Sequence, residues 1–433
     1  MRPVKEPANY HHMKSTNLER KITAAKHASE GMLDITGNAR KNILLNLSSE
    51  LLNHAAEIIM ANKKDILAAK KEGRNESFIE RLTLSKEGIL SIADSVKKIA
   101  LAKDTLFQKL EERKMPSGIN IQKVRVPLGL IAIIFESRPN VTIDAFALAF
   151  KSGNAVILKG GKEIKHTNNK LINLIKKTLS DNKISSEIIQ DAGGIDRDLT
   201  KSLISNRLID CLIPRGGKEL INFVKNNAKV PIIITGASVV HTYIDESADL
   251  NMARKVILNA KTRRVSICNA LDVVLLHEKI YNKLLNLSIH ELLDKKVEIR
   301  ADKTSHKLLK KLGYPKLRLA KSQDFDTEFL DYILAVKVVH NFSEALTHIK
   351  KHGLGHSEAI ITKSKYQAET FFKQIDAACL YLNTSTQFSD GGEFGLGGEI
   401  GISTQKLHAR GPFAFQELTT YKYIISSKGA LRK

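Results

Sequence analysis

Apolar positions recur in two rhythms along the chain. Between residues 14 and 101 the rhythm is helical: Ile43, Leu47 and Leu51 fall four apart, and Ala55, Ile58 and Ile59 continue the stripe. That spacing keeps apolar side chains on one face of a helix, so this region predicts helices that need a sheet or one another to cover them. From residue 119 the rhythm changes to short apolar runs alternating with helical stretches. GLIAIIF (129–135), AVILK (155–159), EIIQ (187–190), LIDCLIP (208–214) and PIIIT (231–235) read as strands, with helices over 141–151, 163–179, about 196–204 and about 218–227 between them. Gly153 closes the first of those helices. Continuous apolar strands alternating with helices predict a parallel sheet covered on both faces, a doubly wound, nucleotide-binding type of domain.

After a helix over about 248–260 the alternation resumes. LDVVLLH (271–277), VEIRA (297–301), YILAVKVV (332–339), EAIIT (358–362) and CLYLN (379–383) are expected strands, with helices over 278–293, 343–351 and 364–374. These suffice for a second α/β domain, with Cys268 at the join, a place that ligand sites favour. SGINIQKVRVP (117–127) and FQELTTYKYIIS (415–426) read as two further strands. MRPVKEPANYHH (1–12) has two prolines and no apolar period, which predicts a loose tail over 1–13 and leaves Met1 and Met13 both open as the functional start.

Composition narrows the class. At 433 residues the chain exceeds one compact core, and 42% hydrophobic with 26% charged residues fits a globular protein. Three cysteines occur, with no CxxC pair and no His/Cys spacing suited to zinc, so a reducing compartment and no metal site are expected. There is no apolar signal region, and the longest apolar run, PLGLIAIIF (127–135), is far short of the ~20 residues of a membrane helix. The reading is cytoplasmic. Lys+Arg of 68 against Asp+Glu of 46 gives a net charge of +22, which invites a nucleic-acid reading. The lysines are instead scattered over helical segments such as KKDILAAKKEGR (63–74), without an aromatic stacking surface. A solvated basic surface that attracts small anions is the preferred reading.

Three stretches carry candidate chemistry. KGGKE follows the strand ending at Lys159, and PRGGKE follows the strand ending near Pro214. A glycine turn feeding a helix at the carboxyl edge of a parallel sheet offers bare N–H groups to a phosphate, and Lys159, Lys162 and Arg215 add charge beside Gly216 and Gly217. A tight turn with no ligand is the alternative for either one. No GxGxxG or GxxxxGK[ST] occurs, which argues against a kinase or ATPase. In KTRRVSICNA (261–270), Cys268 lies after a helix with Arg263 and Arg264 nearby, surroundings that populate a thiolate, whereas Cys211 and Cys379 lie inside apolar strands. Nucleophile and packing residue both remain open for Cys268 on these grounds. The stretch 388–413 holds seven of the 25 glycines together with Asp390, Glu393, Glu399, His408 and Arg410, which predicts an ordered loop whose backbone approaches something closely.

Taken in order, VPLGLIAIIFESRPNVT (126–142), ILKGGKE (157–163), LIPRGG (212–217), RVSICNA (264–270) and STQFSDGGEFGLGGEIGISTQKLHARGP (385–412) resemble the gamma-glutamyl phosphate reductase family, within the aldehyde dehydrogenase superfamily, from about residue 14 to the C-terminus. The resemblance implies an NADPH-binding domain over 14–116 and 128–263, a catalytic domain over 264–388, a glycine-rich active-site segment over 389–413, and an oligomerisation arm of 117–127 with 414–433 that makes a homodimer or homotetramer. It implies reduction of L-glutamyl 5-phosphate to L-glutamate 5-semialdehyde and phosphate, the second step of proline biosynthesis from glutamate, through a thioester on Cys268. The alternative is another NAD(P)-dependent aldehyde dehydrogenase. Hydrolytic relatives carry a glutamate about thirty residues before the cysteine, and Ile234 stands at that place here, as suits an enzyme that keeps water from its thioester. Lys159 and Lys162 would hold NADPH, with Lys162 pairing the 2′-phosphate. Asp331 would hold the nicotinamide ribose. Asn140 is the candidate oxyanion donor, although ungapped counting puts Glu136 at the donor's position, and Val265 replaces a proline usual in the family. Arg138, Arg264, His408 and Arg410 are candidate cations for the substrate's phosphate and carboxylate. A glutamate 5-kinase handing on its labile product is a candidate partner.

Overall fold

The structure, a computed structural model, describes residues 8–193 and 197–432. The chain divides into two compact units, one of residues 1–235, 394–401 and 412–433, the other of 236–393 and 402–411. Residues 1–7 of the expected tail lie outside the described residues, whereas 8–13 belong to a helix.

In the first unit α1 (Ala8–Gly31), α2 (Gly37–Asn53), α3 (Ala55–Lys71), α4 (Glu76–Leu82) and α5 (Lys86–Leu101) come first. Each start from α2 onward has a local cause where a cap is present: Thr36, Asn75 and Ser85 accept backbone N–H bonds three residues on. Next are β1 (Lys109–Lys114), β2 (Asn120–Pro127), β3 (Leu130–Phe135), α6 (Asn140–Lys151), β4 (Ala155–Lys159), α7 (Lys165–Asp181), β5 (Ile189–Asp191), α8 (Arg197–Ser205), β6 (Cys211–Arg215) and α9 (Lys218–Asn227). A four-stranded parallel sheet has the order β5-β4-β3-β6. β3 and β4 are buried along their whole length, which explains their unbroken apolar runs. PIIIT forms no strand: Ile232 makes an isolated bridge to Leu212, and Thr235 is a single bridge residue. Pro231 cannot donate, and Thr235 Oγ1 bonds back to Pro214 O at 3.0 Å, so the ladder stops there.

In the second unit β7 (His241–Ile244), α10 (Leu250–Thr262), β8 (Val273–His277), α11 (Tyr281–Asp294), β9 (Glu298–Ala301), α12 (Lys303–Lys311), β10 (Leu317–Leu319), β11 (Ile333–Val339), α13 (Phe342–His352), β12 (Ser357–Ile361), α14 (Lys365–Gln374) and β13 (Cys379–Leu382) follow. They build a seven-stranded parallel sheet, β10-β9-β11-β8-β7-β12-β13. Val274 and Leu276 of β8 join one core with Ala253, Ile257 and Leu284, while Val273 and Leu275 join another with Ile349 and Phe371, so both sheet faces are covered. The expected boundary at 263/264 therefore differs from the structure, which begins this unit at Gly236, because β7 pairs with β8 and β12. Finally β14 (Gly401–Ser403) and β15 (Gly411–Phe413) make a two-stranded sheet, and β16 (Thr419–Ser426) adds to β1 and β2 in an antiparallel sheet of order β1-β2-β16.

Candidate active site

Cys268 lies on the loop from α10 to β8, and the loop is closed at its base. Leu271 N donates to Ala260 O at 3.0 Å, and the Lys261 ammonium, fully buried, donates to Leu271 O at 2.7 Å. Burial lowers the Lys261 pKa to about 8, against the opposing charges of Asp272 and Asp331. A second segment, 386–389, straps the loop on both sides of the cysteine. Gln387 Nε2 donates to Ala260 O (2.7 Å) and Arg264 O (3.3 Å), and its Oε1 accepts from Arg263 Nε (2.8 Å). On the other side Thr386 Oγ1 donates to Asn269 O (2.7 Å), and Asn269 Nδ2 donates to Ser389 O and Oγ, both at 3.1 Å. The motifs RVSICNA and STQFS, far apart in sequence, are thus one structure. Cys268 is half-buried, whereas Cys211 and Cys379 are buried. Burial pushes the Cys211 thiol up to about 12, so it stays protonated at neutral pH.

Other expected residues of this unit are spread around that loop or engaged elsewhere. Arg264 and His408 are exposed. Arg410 donates to Asp376 at 2.5 Å, and Lys406 pairs with the same carboxylate. Asp331 is exposed and accepts from Tyr332 N. Three residues earlier Glu328, which sequence reasoning did not single out, accepts from Ser238 Oγ at 2.9 Å, and burial, with the Asp272 charge, raises its carboxyl to about 7. The signal for it was slight: it is one of four acidic residues, with Asp324, Asp326 and Asp331, between β10 and β11.

The first unit carries the remaining candidates at the carboxyl edge of its sheet. Register aligns Lys159 of β4 with Ile134, and Arg215 of β6 with Phe135, so the ends of β4, β3 and β6 lie side by side. The strand order places a topological switch point between β3 and β6, where ligands of open α/β sheets bind. The N–H groups there are not bare. Asp65, buried on α3, accepts from His166 N (3.0 Å) and Thr167 N (2.8 Å) at the start of α7. Glu136 Oε2 accepts from Gly217 N at 3.1 Å. Carboxylates thus already take two N–H groups at the start of α7 and the Gly217 N–H before α9, so the cradle expected at these turns is partly occupied. Side-chain cations and open backbone remain: Lys159 ends β4, Lys162 makes only an exposed pair with Glu72 (3.2 Å), Arg215 is half-buried, and a Cβ at Gly217 would meet nothing within 4 Å. These residues fit a phosphate-bearing dinucleotide. Asn140 begins α6 and spends one N–H on Asp144 Oδ2 at 3.0 Å. Burial raises the Asp144 carboxyl to about 6 against the pull of Asn140 and Arg215. Arg138 is half-buried beside Ser137, whose φ of 20° is strained for a residue with a Cβ and whose hydroxyl donates to Glu163 at 2.7 Å.

Among the described residues no group of three or more His, Cys, Asp or Glu is arranged to hold a metal, and no helix is long and apolar enough to cross a membrane.

Two doubly wound parallel sheets, one carrying a cation-lined switch point and the other a strapped cysteine loop, match known proteins over nearly the whole chain. The family model described as aldehyde dehydrogenase family matches residues 3–306, and the chain belongs to that family. Gamma-glutamyl phosphate reductase of Legionella pneumophila subsp. pneumophila is 47% identical over 421 residues, 96% of this chain and 100% of that one. The enzyme of the same name from Francisella philomiragia is 46% identical over 409 residues, 94% of this chain and 98% of its own. The crystal structure of gamma-glutamyl phosphate reductase from Thermotoga maritima superposes with a TM-score of 0.91 at 38% identity, covering 96% of this chain and 100% of that one. Within the aldehyde dehydrogenases the chain belongs with the gamma-glutamyl phosphate reductases. At 16% identity, glyceraldehyde-3-phosphate dehydrogenase of Methanocaldococcus jannaschii, complexed with NADP, shares the fold with a TM-score of 0.70, over 96% of this chain and 95% of that one.

Proposed function

We propose that the chain reduces L-glutamyl 5-phosphate to L-glutamate 5-semialdehyde and phosphate, the second step of proline biosynthesis from glutamate, with NADPH as the reductant. The observation that supports this most is a half-buried cysteine held on a doubly strapped loop in a chain 47% identical to gamma-glutamyl phosphate reductases. The Cys268 thiolate attacks the acyl carbon and forms the C–S bond as the C–O bond to phosphate breaks, so phosphate leaves with the bonding pair. Asn140, with its second N–H, is the candidate donor to the oxyanion, and Arg138, Arg264, His408 and Arg410 are the candidate cations for phosphate and α-carboxylate. Ile234, apolar where hydrolytic relatives place a glutamate, supplies no base at that position, as suits a thioester kept from water. A nicotinamide cofactor held by Lys159, Lys162 and Arg215 would supply the hydride that reduces the thioester. Cys268 then departs as thiolate when the tetrahedral adduct collapses to aldehyde.

Lys159 and Lys162 would hold the adenosine ribose and its 2′-phosphate, Lys162 exchanging the exposed Glu72 for the stronger dianion, with Arg215, Gly216 and Gly217 along the pyrophosphate and Asp331 at the second ribose. The enzyme acts in the cytoplasm as a homodimer or homotetramer, and a glutamate 5-kinase is the partner that supplies its substrate.

Glutamate-5-semialdehyde dehydrogenation with NADP and NAD compared in parallel tests cofactor and nucleophile together. NADP is expected to give the higher kcat/KM, Lys162→Glu to invert or erase that preference, and Cys268→Ala to abolish turnover. Turnover retained by Cys268→Ala removes the cysteine mechanism.

A further inference from the structure

The mechanism asks Cys268 to stand at a fixed place on a loop rich in small and polar residues, and that place is set largely from outside the loop. Its base is closed by Leu271 N to Ala260 O and by Lys261 Nζ to Leu271 O, and Ala270 N turns back onto Ile267 O at 3.1 Å. These bonds join the ends of the loop and shape one turn, and Arg263 N still donates to Asn259 O of α10 at 3.1 Å, whereas the Arg263 guanidinium and the Arg264 carbonyl are held by another element. The anchor is the segment Thr386–Phe388 with Ser389. Gln387 is 3% exposed, and its amide is used at both ends: the nitrogen on the Ala260 and Arg264 carbonyls, the oxygen on Arg263 Nε. Thr386 and Asn269 are likewise buried, and Thr386 Oγ1 holds the carbonyl of the residue next to the cysteine. The cysteine is thereby bracketed, at 264 on one side and 269 on the other, by two adjacent side chains.

We propose that Gln387, with Thr386, is a positioning residue for Cys268, tying both the loop backbone and the Arg263 guanidinium to a common anchor. Gln387 touches no reacting atom. Its amide geometry fixes where the loop carries Sγ, and it fixes the azimuth of Arg263, an exposed cation five residues before the cysteine, through the Nε that it holds. A buried amide that serves two carbonyls and a guanidinium is not replaced by an apolar side chain of the same size, because those groups would be left without partners. A displacement of about 1 Å at a nucleophile costs up to about 10²-fold in rate while leaving substrate contacts elsewhere intact. This inference rests on the reading of Cys268 as the nucleophile, and the test separates the two.

The experiment uses the full-length protein and four variants: Gln387→Ala, Gln387→Glu, Thr386→Val and Thr386→Ser. Gln387→Glu keeps the acceptor for Arg263 and loses the donor to the two carbonyls. Thr386→Ser keeps the hydroxyl that Thr386→Val removes. Each is followed by steady-state kinetics and by the rate of iodoacetamide alkylation at Cys268 across pH, read by mass spectrometry. The expected result for Gln387→Ala is a kcat lower by about 30-fold with KM for the substrate within about 3-fold, and alkylation slowed at every pH. Gln387→Glu is expected to fall with Gln387→Ala, and Thr386→Ser to match the parent while Thr386→Val does not. Parental kcat and alkylation in folded Gln387→Ala, or equal behaviour of Thr386→Ser and Thr386→Val, would overturn the proposal. Alkylation needs no turnover, so a chain without reductase activity would refute the proposed function and still show whether the strap governs the reactivity of the thiol.

Discussion

Single residues carry most of the chemistry, and their legibility depended on how local their cause is. Cys268 could be picked out because arginines and a helix end lie within a few residues of it, and Cys211 and Cys379 could be set aside because apolar runs enclose them. Gln387 and Glu328 could not, since a glutamine or glutamate is ordinary in a loop and only burial and partners distant in sequence make it special. The same holds for the buried histidines of the second unit. His348, on α13, is held down to about 2, first by burial and then by the charges of His241 and Lys337, and His356 is held down to about 4 by burial. Both folded-state values lie below the ordinary 6.5, so each histidine stabilises the fold above about pH 6.5 and that contribution is lost as pH falls toward the folded values, where the unfolded chain takes up protons the folded one refuses. Each histidine should therefore lower the urea unfolding free energy from about pH 6.5 to pH 5 by up to about 1.4 kcal/mol per pH unit, against Glu328 and Asp144, whose raised carboxyls act in the opposite sense over the same range. His356→Gln should flatten the profile by about one proton. An unchanged slope in the variant, read as the difference from the parent, contradicts the assignment.

At the scale of elements the alternation of apolar runs and helices was sufficient to place nearly all of both sheets, because strands buried on two faces must be apolar throughout. It failed for β7, whose first residues, His241 and Thr242, are polar yet fully buried. His241 is tolerated there by Glu358 of β12, which accepts from its backbone N at 3.0 Å and meets its Nδ1 at 3.1 Å. That compensation lies 117 residues away and leaves no local mark. The glycine-rich stretch was expected to approach something closely, and within the first unit it approaches α5. Ser95 Oγ donates to Gly397 O at 3.0 Å, and a Cβ at Gly397 would lie 3.0 Å from Ile99 N, at a φ of 78°. Gly397→Ala should cost about 1–3 kcal/mol, from left-handed strain and from a contact with backbone that cannot yield. Urea unfolding measures this. A variant as stable as the parent would show that the segment lifts off α5 without cost.

For the whole molecule, charge and surface say more about association than about chemistry. The net charge of +22 suits anionic substrates and a phosphate-bearing cofactor. The antiparallel sheet of β1, β2 and β16 leaves β16 as an edge strand with Tyr421, Tyr423 and Ile425 about half exposed or more, and such an edge is a pairing surface. A homodimer or larger assembly is expected in light scattering, above the 48.2 kDa of one chain, and Ile425→Lys is expected to lower that mass. A single-chain mass for the parent would remove the arm's assigned role. Fold and family were legible because five motifs occur in order along the chain. The carboxylates that take N–H groups at the starts of α7 and α9 were not, because Asp65 and Glu136 reach them from other elements.

In the proposed mechanism phosphate, not water, cleaves the Cys268 thioester in the reverse direction, giving the acyl phosphate and freeing the thiolate. Its most direct measurement is the reverse reaction, NADP reduction by glutamate 5-semialdehyde as inorganic phosphate is varied. Rates that rise from near zero with phosphate and vanish in Cys268→Ala are predicted. NADP reduction that proceeds equally without phosphate and yields free glutamate would contradict it.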